Sequence, residues 1–145
     1  MVSSVLVVCV GNVCRSPVGE RLLAQACPHL RTGSAGIDAL VGRSASKPSA
    51  EVAAHNGVSV EGHIARQFTP ELAAQFDLIL VMEKAHMKET ASQAPASGAK
   101  TMLFGEWIDE SDIADPYELS HDFHVAVFDK MKRASEGWIT RLAIG

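Results

Sequence analysis

The stretch VVCVGNVCRSP, residues 7–17, decides the fold because it joins a buried strand to a helix through one short loop. Residues 4–8 form an apolar, β-branched run, which is typical of a strand buried on both faces of a sheet. After the loop, Ser16 is predicted to cap a helix that has Pro17 at its first position. A strand, a tight loop and a helix in this order predict the start of an α/β fold.

The loop itself, residues 9–16, has the composition of an anion-binding site. In an open α/β sheet, ligands bind beyond the carboxyl ends of the strands, where this loop lies. Gly11 and Asn12 tolerate left-handed backbone angles, so the loop can curl with its N–H groups pointing inward. Together with the positive N-terminus of the following helix, these donors favour a bound anion and a thiolate at Cys9. The planar guanidinium of Arg15 suits two oxygens of a phosphate.

A thiolate and a phosphate cradle in one loop predict phosphoryl transfer to the sulfur of Cys9. The hydroxyl of Ser16 could donate a hydrogen bond to that sulfur and ease its later departure from phosphorus. The alternative is an inert, buried cysteine at the end of a strand, which is a common arrangement. The strand before the loop, the Gly-Asn pair within it and the helix start after it favour the reactive cysteine.

Transfer of phosphate from an ester also requires a general acid that protonates the leaving group. The segment IADPYEL, residues 113–119, supplies Asp115 as the best candidate. Pro116 favours an extended conformation at Asp115 and stiffens the loop. Tyr117 is the only tyrosine of the chain and could form a flat wall for an aromatic substrate. Taken alone, the same motif would be read as an Asp-Pro turn before the last helix.

The rest of the chain alternates predicted strands and helices. Further strands are predicted at 31–36, 77–82 and 100–104, and helices at 48–55, after the cap Thr69, at about 84–93 and from about Ser120 onward. In the last helix, apolar residues recur at steps of three and four and predict one buried stripe: Phe123, Val127, Met131, Ala134, Trp138 and Leu142. This alternation predicts βαβ units, a mostly parallel sheet and one α/β domain over residues 1–145.

Composition narrows the classes of function. The chain has 145 residues and a formal net charge of −4, which argues against binding to nucleic acid or to an anionic membrane. No apolar run approaches the roughly 20 residues of a membrane span, and the N-terminal MVSSVLVV is interpreted as the first strand rather than a signal peptide. Three cysteines, two of them in one loop, do not make a disulfide framework, so a reducing cytoplasm is expected.

No metal site is expected, because the Cys-x4-Cys spacing of Cys9 and Cys14 lacks a second ligand pair. Five histidines show no ligand spacing with one another and are predicted to lie on the surface: His29, His55, His86, His121 and His124. Cys27, Trp107 and Trp138 are interpreted as packing residues. Lys84 and Lys88 are predicted to lie on a solvated helix face, from which they could also dock an acidic phosphopeptide.

The segment CVGNVCRSP, together with the distant DPY at residues 115–117, resembles the signature of the low-molecular-weight protein tyrosine phosphatases. The resemblance extends over the chain through SAG at 34–36, VGR at 41–43, ARQ at 65–67 and LILVMEK at 78–84. EGHIARQ, VMEKAHM and MLFGEW resemble the bacterial branch encoded with capsule and exopolysaccharide export systems. The resemblance implies a three-layer α/β fold with a central four-stranded parallel sheet flanked by helices and a phosphate-binding loop after strand 1.

By resemblance, Cys9 is the nucleophile, Arg15 the phosphate clamp and Asp115 the acid and then the base. The remaining phosphate-binding loop residues would be Val10, Gly11, Asn12, Val13, Cys14 and Ser16. Ser34 and His63 match the family's supporting hydrogen-bond network, while Leu40 and Tyr117 would contact the aromatic ring of the substrate. No cofactor or metal is implied.

The resemblance also implies a partner: a phosphotyrosine protein, namely the tyrosine-rich tail of a membrane-bound bacterial tyrosine kinase that governs polysaccharide assembly. From the closeness of Cys9 and Cys14 in the loop and from the habit of the family, oxidation is expected to join them reversibly and so protect Cys9. The alternative for Cys14 is a small packing residue. The chain departs from the animal enzymes at Ala39-Leu40 and at Glu118, where those enzymes have aromatic residues, and Glu83 stands where many relatives have Asp.

Three rival functions use related chemistry. An arsenate reductase on this scaffold needs further cysteines downstream, and the chain has none after Cys27. A phosphocarrier would hold phosphate on cysteine without a hydrolytic acid such as Asp115. A non-catalytic phosphotyrosine-binding module would not require Cys9, Arg15 and Asp115 together. Turnover of a phosphotyrosine peptide separates all three from a phosphatase.

Overall fold

One four-stranded sheet organises the chain, and each of its strand pairs is parallel. The computed structural model describes residues 1–142. The strands are β1 (Ser4–Cys9), β2 (Arg31–Gly36), β3 (Leu78–Val81) and β4 (Thr101–Leu103), in the spatial order β2-β1-β3-β4. All six residues of β1 are buried, as its continuous apolar run predicts. The predicted parallel sheet of four strands is confirmed.

Helices cover both faces of this sheet. They are α1 (Arg15–Ala26), α2 (Lys47–His55), α3 (Pro70–Ala73), α4 (Lys84–Gln93) and α5 (His121–Leu142), and a 3₁₀ turn spans Pro95–Lys100. Alternate residues of β1 point to opposite faces: Val5 and Val7 pack with α1, α2 and α5, whereas Leu6 and Val8 pack toward α3 and α4. The three-layer α/β architecture is therefore confirmed.

The order of the strands creates a crevice at the carboxyl end of β1. From β1 the chain passes through α1 to β2 on one side, and β3 then joins β1 on the other side. In α/β sheets such a reversal of direction leaves a ligand-binding crevice beyond the strand ends. The loop between β1 and α1 lies at this point. The fold thus presents residues 9–16 where ligand chemistry is expected.

Two local predictions about helix starts had different outcomes. The prediction that Ser16 caps α1 is wrong: the helix begins at Arg15, with Cys14 before it and no side-chain cap. The hydroxyl of Ser16 instead contacts Cys9 and Asn12, so it is engaged inside the loop. Thr69 does cap α3, where its hydroxyl accepts a hydrogen bond from Leu72 N at 3.1 Å.

Two histidines and the first turn of the last helix differ in burial from what the sequence predicts. The prediction that His86 and His124 lie on the surface is wrong, since they are only 6% and 3% exposed. Both rings have polar neighbours inside the fold: Glu83 for His86, and Ser49 for His124. In α5 the predicted stripe is buried from Val127 to Leu142, while Phe123 at its start is 37% exposed.

Two further sequence-based predictions concern the extent of the domain and the membrane. The last three residues of the domain predicted over 1–145 lie outside the described residues. Within residues 1–142, no helix has both the length and the apolar character needed to cross a membrane.

Candidate active site

The backbone of the loop after β1 turns its carbonyl groups outward. Five consecutive carbonyl oxygens, those of residues 9–13, each accept a hydrogen bond of 2.6–3.0 Å; the donors are Ile37 N, Asp38 N, Leu40 N, His63 Nε2 and Ser46 N. In the described part of the chain, none of the main-chain N–H groups of residues 11–14 donates a hydrogen bond to a main-chain carbonyl outside the helices and strands. These N–H groups are therefore available on the inner side of the loop, which makes a concave site for an anion.

Asn12 fixes this curled conformation. Its φ of 60° lies in the left-handed region, and its side chain is fully buried. Its Nδ2 donates to Ser16 Oγ at 2.7 Å, and its Oδ1 accepts from Arg66 N at 2.9 Å. Gly11, which was expected to share the left-handed conformation, has no positive φ. Among residues 9–16, the left-handed turn is thus made at Asn12.

Cys9 lies at the base of the loop and is 2% exposed. Its Sγ is 2.9 Å from Ser16 Oγ, so the Ser16 hydroxyl can donate a hydrogen bond to a thiolate, as predicted from the sequence. Ser16 Oγ also receives the hydrogen bond from Asn12, which orients the hydroxyl. Sulfur, hydroxyl and amide thus form one buried chain of contacts.

The second loop cysteine, Cys14, lines the same cavity and contacts the residue that precedes α2. Its Sγ is 3.2 Å from Ser46 Oγ, and burial raises the pKa of its thiol, an effect that Ser46 and Ser49 partly oppose. None of the three cysteines, Cys9, Cys14 and Cys27, forms a disulfide bond. The expected pairing of Cys9 with Cys14 upon oxidation stays a prediction.

Arg15 is anchored by one edge of its guanidinium. The residue is 1% exposed, and Nη1 donates to Glu83 Oε2 at 2.6 Å and to the carbonyl of Ile113 at 2.7 Å. Nε has no hydrogen-bond partner among the described residues, and Nη2 lies 3.6 Å from Asp115 Oδ2. The edge formed by Nε and Nη2 is therefore available for two oxygens of an anion, the geometry that a planar guanidinium offers to phosphate.

Asp115 and Tyr117 reach the same pocket from the loop before α5. A cavity of about 190 Å³ is lined by five residues of the loop and by four from other segments: Cys9, Val10, Gly11, Val13 and Cys14, with Asp38, Leu40, Asp115 and Tyr117. The Asp115 side chain is 43% exposed, and its Oδ1 accepts a hydrogen bond from Tyr117 N at 3.0 Å, which orients the carboxyl group. The structure thus brings the predicted nucleophile, acid and ring-contacting residues to one opening.

The predicted supporting residues hold the loop from behind. His63 Nε2 donates to the Asn12 carbonyl at 2.6 Å, and burial lowers the pKa of this histidine. Ser34 is buried and takes part through its carbonyl, which accepts from Arg66 Nε at 2.9 Å. Both therefore lie next to the loop, although Ser34 contacts Arg66 through its main chain.

Three contributors were missed by the sequence analysis. Asp38 lines the catalytic pocket, the Ile113 carbonyl anchors Arg15, and Arg66 links Asn12 to Ser34. Of the three, only Arg66 could have been recognised from the sequence, because it lies in the ARQ segment that resembles the family. The role of the Ile113 carbonyl could not, because every residue has a main-chain carbonyl. Within residues 1–142, no three His, Cys, Asp or Glu side chains are grouped so that they could hold a metal ion.

Comparison with known proteins agrees with this geometry. A model of the low molecular weight phosphotyrosine protein phosphatase family matches residues 4–144. The chain belongs to this family. It is 47% identical to the low molecular weight protein-tyrosine-phosphatase Etp of Escherichia coli K12 over 141 residues, which are 97% of this chain and 95% of Etp.

Solved structures of this phosphatase family match the whole fold. The tyrosine phosphatase Wzb from Escherichia coli K30, in complex with sulphate, has a TM-score of 0.97 at 44% identity and covers 98% of this chain and 99% of its own. Vibrio vulnificus Wzb in complex with benzylphosphonate has a TM-score of 0.96 at 44% identity and covers 97% of this chain and 99% of its own. The chain is a low molecular weight protein-tyrosine-phosphatase of the bacterial type that its sequence resembles.

Proposed function

We propose that this phosphatase hydrolyses phosphotyrosine in two steps through a phosphocysteine at Cys9. The observation that carries the proposal is the arrangement around the sulfur: inward N–H groups of residues 11–14 and the available Nε–Nη2 edge of Arg15. These donors belong to one short loop and have no hydrogen-bond partner in the described protein, so together they can stabilise the charge on the three equatorial oxygens of a phosphoryl group in transfer.

In the first step, the Cys9 thiolate attacks phosphorus in line with the phenolic oxygen. The sulfur–phosphorus bond forms while the bond from phosphorus to that oxygen breaks. Asp115, in its protonated form, gives its proton to the leaving oxygen, so that tyrosine departs as a neutral phenol. Arg15 and the loop amides hold the phosphoryl oxygens throughout.

In the second step, the phosphocysteine is hydrolysed. The Asp115 carboxylate takes a proton from a water molecule, whose oxygen attacks phosphorus as the sulfur–phosphorus bond breaks. Ser16 Oγ, 2.9 Å from Cys9 Sγ, donates a hydrogen bond to the departing thiolate. Inorganic phosphate is released and the enzyme returns to its starting state.

The aromatic part of the substrate would lie between Leu40 and Tyr117 at the mouth of the cavity. The Vibrio relative supports this assignment, because the benzylphosphonate in its complex is an aromatic phosphonate. From the resemblance, we assign as physiological substrate the phosphotyrosine-rich tail of a membrane-bound tyrosine kinase that controls exopolysaccharide or capsule synthesis, and we place the reaction in the cytoplasm. Deleting the gene should then raise the phosphotyrosine content of that kinase.

The direct test is phosphate release from a phosphotyrosine peptide in the presence of a chelator. Cys9→Ser should abolish release, and Asp115→Asn should reduce it about 10²–10⁴-fold, the contribution of a positioned acid. If the wild type accumulates phosphate on Cys9 without releasing it, the protein acts as a phosphocarrier instead. A wild type that does not react with the peptide would refute both readings.

A further inference from the structure

A second groove begins at the rim of the catalytic pocket and leads toward the start of α2. Its volume is about 350 Å³, and it shares Val13, Leu40 and Tyr117 with the pocket that contains Cys9. Beyond these shared residues it is lined by Arg43 and Lys47. A peptide whose phosphotyrosine reaches Cys9 would therefore have these two cations beside a neighbouring residue.

The two cations are poorly compensated by the protein. Both are exposed, and Arg43 forms no ion pair among residues 1–142. Lys47 Nζ is 4.0 Å from Glu51 Oε1, with the two side chains 88% and 58% exposed, and an exposed pair of this kind contributes little. No acidic residue lines this groove. Its net positive charge is therefore available to a ligand.

Main-chain hydrogen bonds hold the segment that carries the groove against the phosphate-binding loop. Leu40 N donates to the Gly11 carbonyl at 3.0 Å, and Ser46 N donates to the Val13 carbonyl at 2.8 Å. Between these anchors, the Arg43 carbonyl accepts from Ala65 N at 2.8 Å. Arg43 thus lies on a segment tied at both ends to the catalytic loop, and Lys47 directly follows its second anchor, although both side chains are exposed.

Charges on either side limit where an acidic ligand would bind. The cavity that contains Cys9 is lined by two carboxylates, Asp38 and Asp115, and by no Lys or Arg. Past the basic groove, sharing Ser44 and Ala45 with it, lies a trough of about 550 Å³ whose one charged lining residue is Glu61. An acidic side chain is therefore favoured beside Arg43 and Lys47 and disfavoured further along.

We propose that Arg43 and Lys47 bind an Asp or Glu side chain close to the phosphotyrosine of the same peptide, so that acidic phosphopeptides are the preferred substrate class. This inference rests on the proposed function, because it assumes that the peptide delivers its phosphate to Cys9. Two exposed charge pairs of this kind should raise kcat/KM by about 2- to 30-fold.

The experiment compares three phosphotyrosine peptides of equal length: one with Asp residues before the phosphotyrosine, one with Asp residues after it, and one with Asn at all these positions. The readout is the ratio of kcat/KM for each Asp peptide to that for the Asn peptide. For the wild type, at least one ratio should be about 2–30 and should fall as NaCl rises from about 0.05 to 0.5 M. In Arg43→Ala/Lys47→Ala it should fall to near one.

The matched control is Lys132→Ala/Arg133→Ala, which removes the same two charges from exposed positions of α5. This control should keep the wild-type ratio. A preference for Asp that survives in the Arg43/Lys47 variant, or that disappears equally in the control, would overturn the proposal. Ratios near one for the wild type would also overturn it, while Cys9-dependent hydrolysis of p-nitrophenyl phosphate would leave the proposed function standing. If the wild type hydrolyses neither compound, both proposals fail.

Discussion

Replacing Asn12 with Ala should destabilise the whole protein, because this one side chain holds the phosphate-binding loop in its curled conformation. Asn12 is fully buried, and its amide makes hydrogen bonds of 2.7 Å to Ser16 and 2.9 Å to the Arg66 N–H. Its φ of 60° is a conformation that Asn tolerates and Ala does not. The substitution therefore removes two contacts and adds backbone strain.

The expected size follows from these two terms. Each lost hydrogen bond costs about 0.5–1.5 kcal/mol net, or about 1–3 kcal/mol for the pair. The left-handed conformation costs Ala about 1–2 kcal/mol more. The free energy of unfolding should thus fall by about 2–5 kcal/mol, which at about 3 °C per kcal/mol lowers Tm by about 6–15 °C.

Asn12→Gly separates the two terms. Gly loses the same hydrogen bonds but has no left-handed penalty, while its more flexible unfolded chain costs about 0.4–1 kcal/mol. The Gly variant should therefore be at least as stable as the Ala variant. At Ala126, an exposed position within α5, the order is reversed, and Ala126→Gly should cost about 1 kcal/mol.

The assay is urea unfolding of the wild type and the three variants, with thermal unfolding as a second measurement. The reasoning is refuted if Asn12→Gly is less stable than Asn12→Ala by more than about 0.5 kcal/mol, the usual spread of neutral substitutions. It is equally refuted if Asn12→Ala lies within that spread of the wild type. Either result would mean that contacts from outside the loop determine its shape.

Other residues give further predictions. Arg15→Lys should lower kcat/KM for p-nitrophenyl phosphate about 10²–10³-fold, because an ammonium cannot stay anchored and also offer two donors to phosphate; a loss below about 10-fold would contradict this. Burial lowers the pKa of His124 below 6.5, so as the pH falls the unfolded chain takes up a proton at this residue before the folded protein does. The contribution of neutral His124 to the free energy of unfolding is therefore complete above pH 6.5 and declines below it. Urea unfolding at about pH 7.5 and 5.5 should show a smaller difference for His124→Phe than for the wild type. A Cβ added at Gly36 would clash with the carbonyl oxygen of Val10, so Gly36→Ala should lower stability by about 1–3 kcal/mol as well as activity, whereas Gly98→Ala, with no atom within 4 Å of the added Cβ, should do neither.

Features encoded within a few neighbouring residues could be predicted from the sequence. Cys9 and Arg15 lie at the two ends of one loop, so a strand before it and a helix after it suffice to place both at the carboxyl edge of the sheet. Thr69, followed by Pro and Glu, was recognised as a cap for the same reason, since its partner is only three residues away. The need for a general acid pointed to the distant Asp115, and the family resemblance then implied the same role for it.

Features that depend on distant partners could not be predicted. Ser16 has the composition of a helix cap, but Cys9 and Asn12 engage its hydroxyl once the loop has curled. Local preference allowed either Gly11 or Asn12 to adopt the left-handed angle, and only Asn12 has a side chain that can bond across the loop. His124 was predicted to lie on the surface because its hydrogen-bond partner Ser49 is 75 residues away, and no residue near His124 in the chain indicates this contact.

The hydrogen bonds that tie residues 37–46 to the loop carbonyls have a consequence for how new members of this family can arise. Ile37, Asp38, Leu40 and Ser46 all donate through main-chain nitrogen atoms, so these anchors do not depend on the side chains they carry. Side-chain changes along this segment can therefore accumulate without loss of the main-chain hydrogen bonds that hold the loop. For protein engineering, exchanging this segment between relatives should transfer substrate preference and keep the catalytic rate.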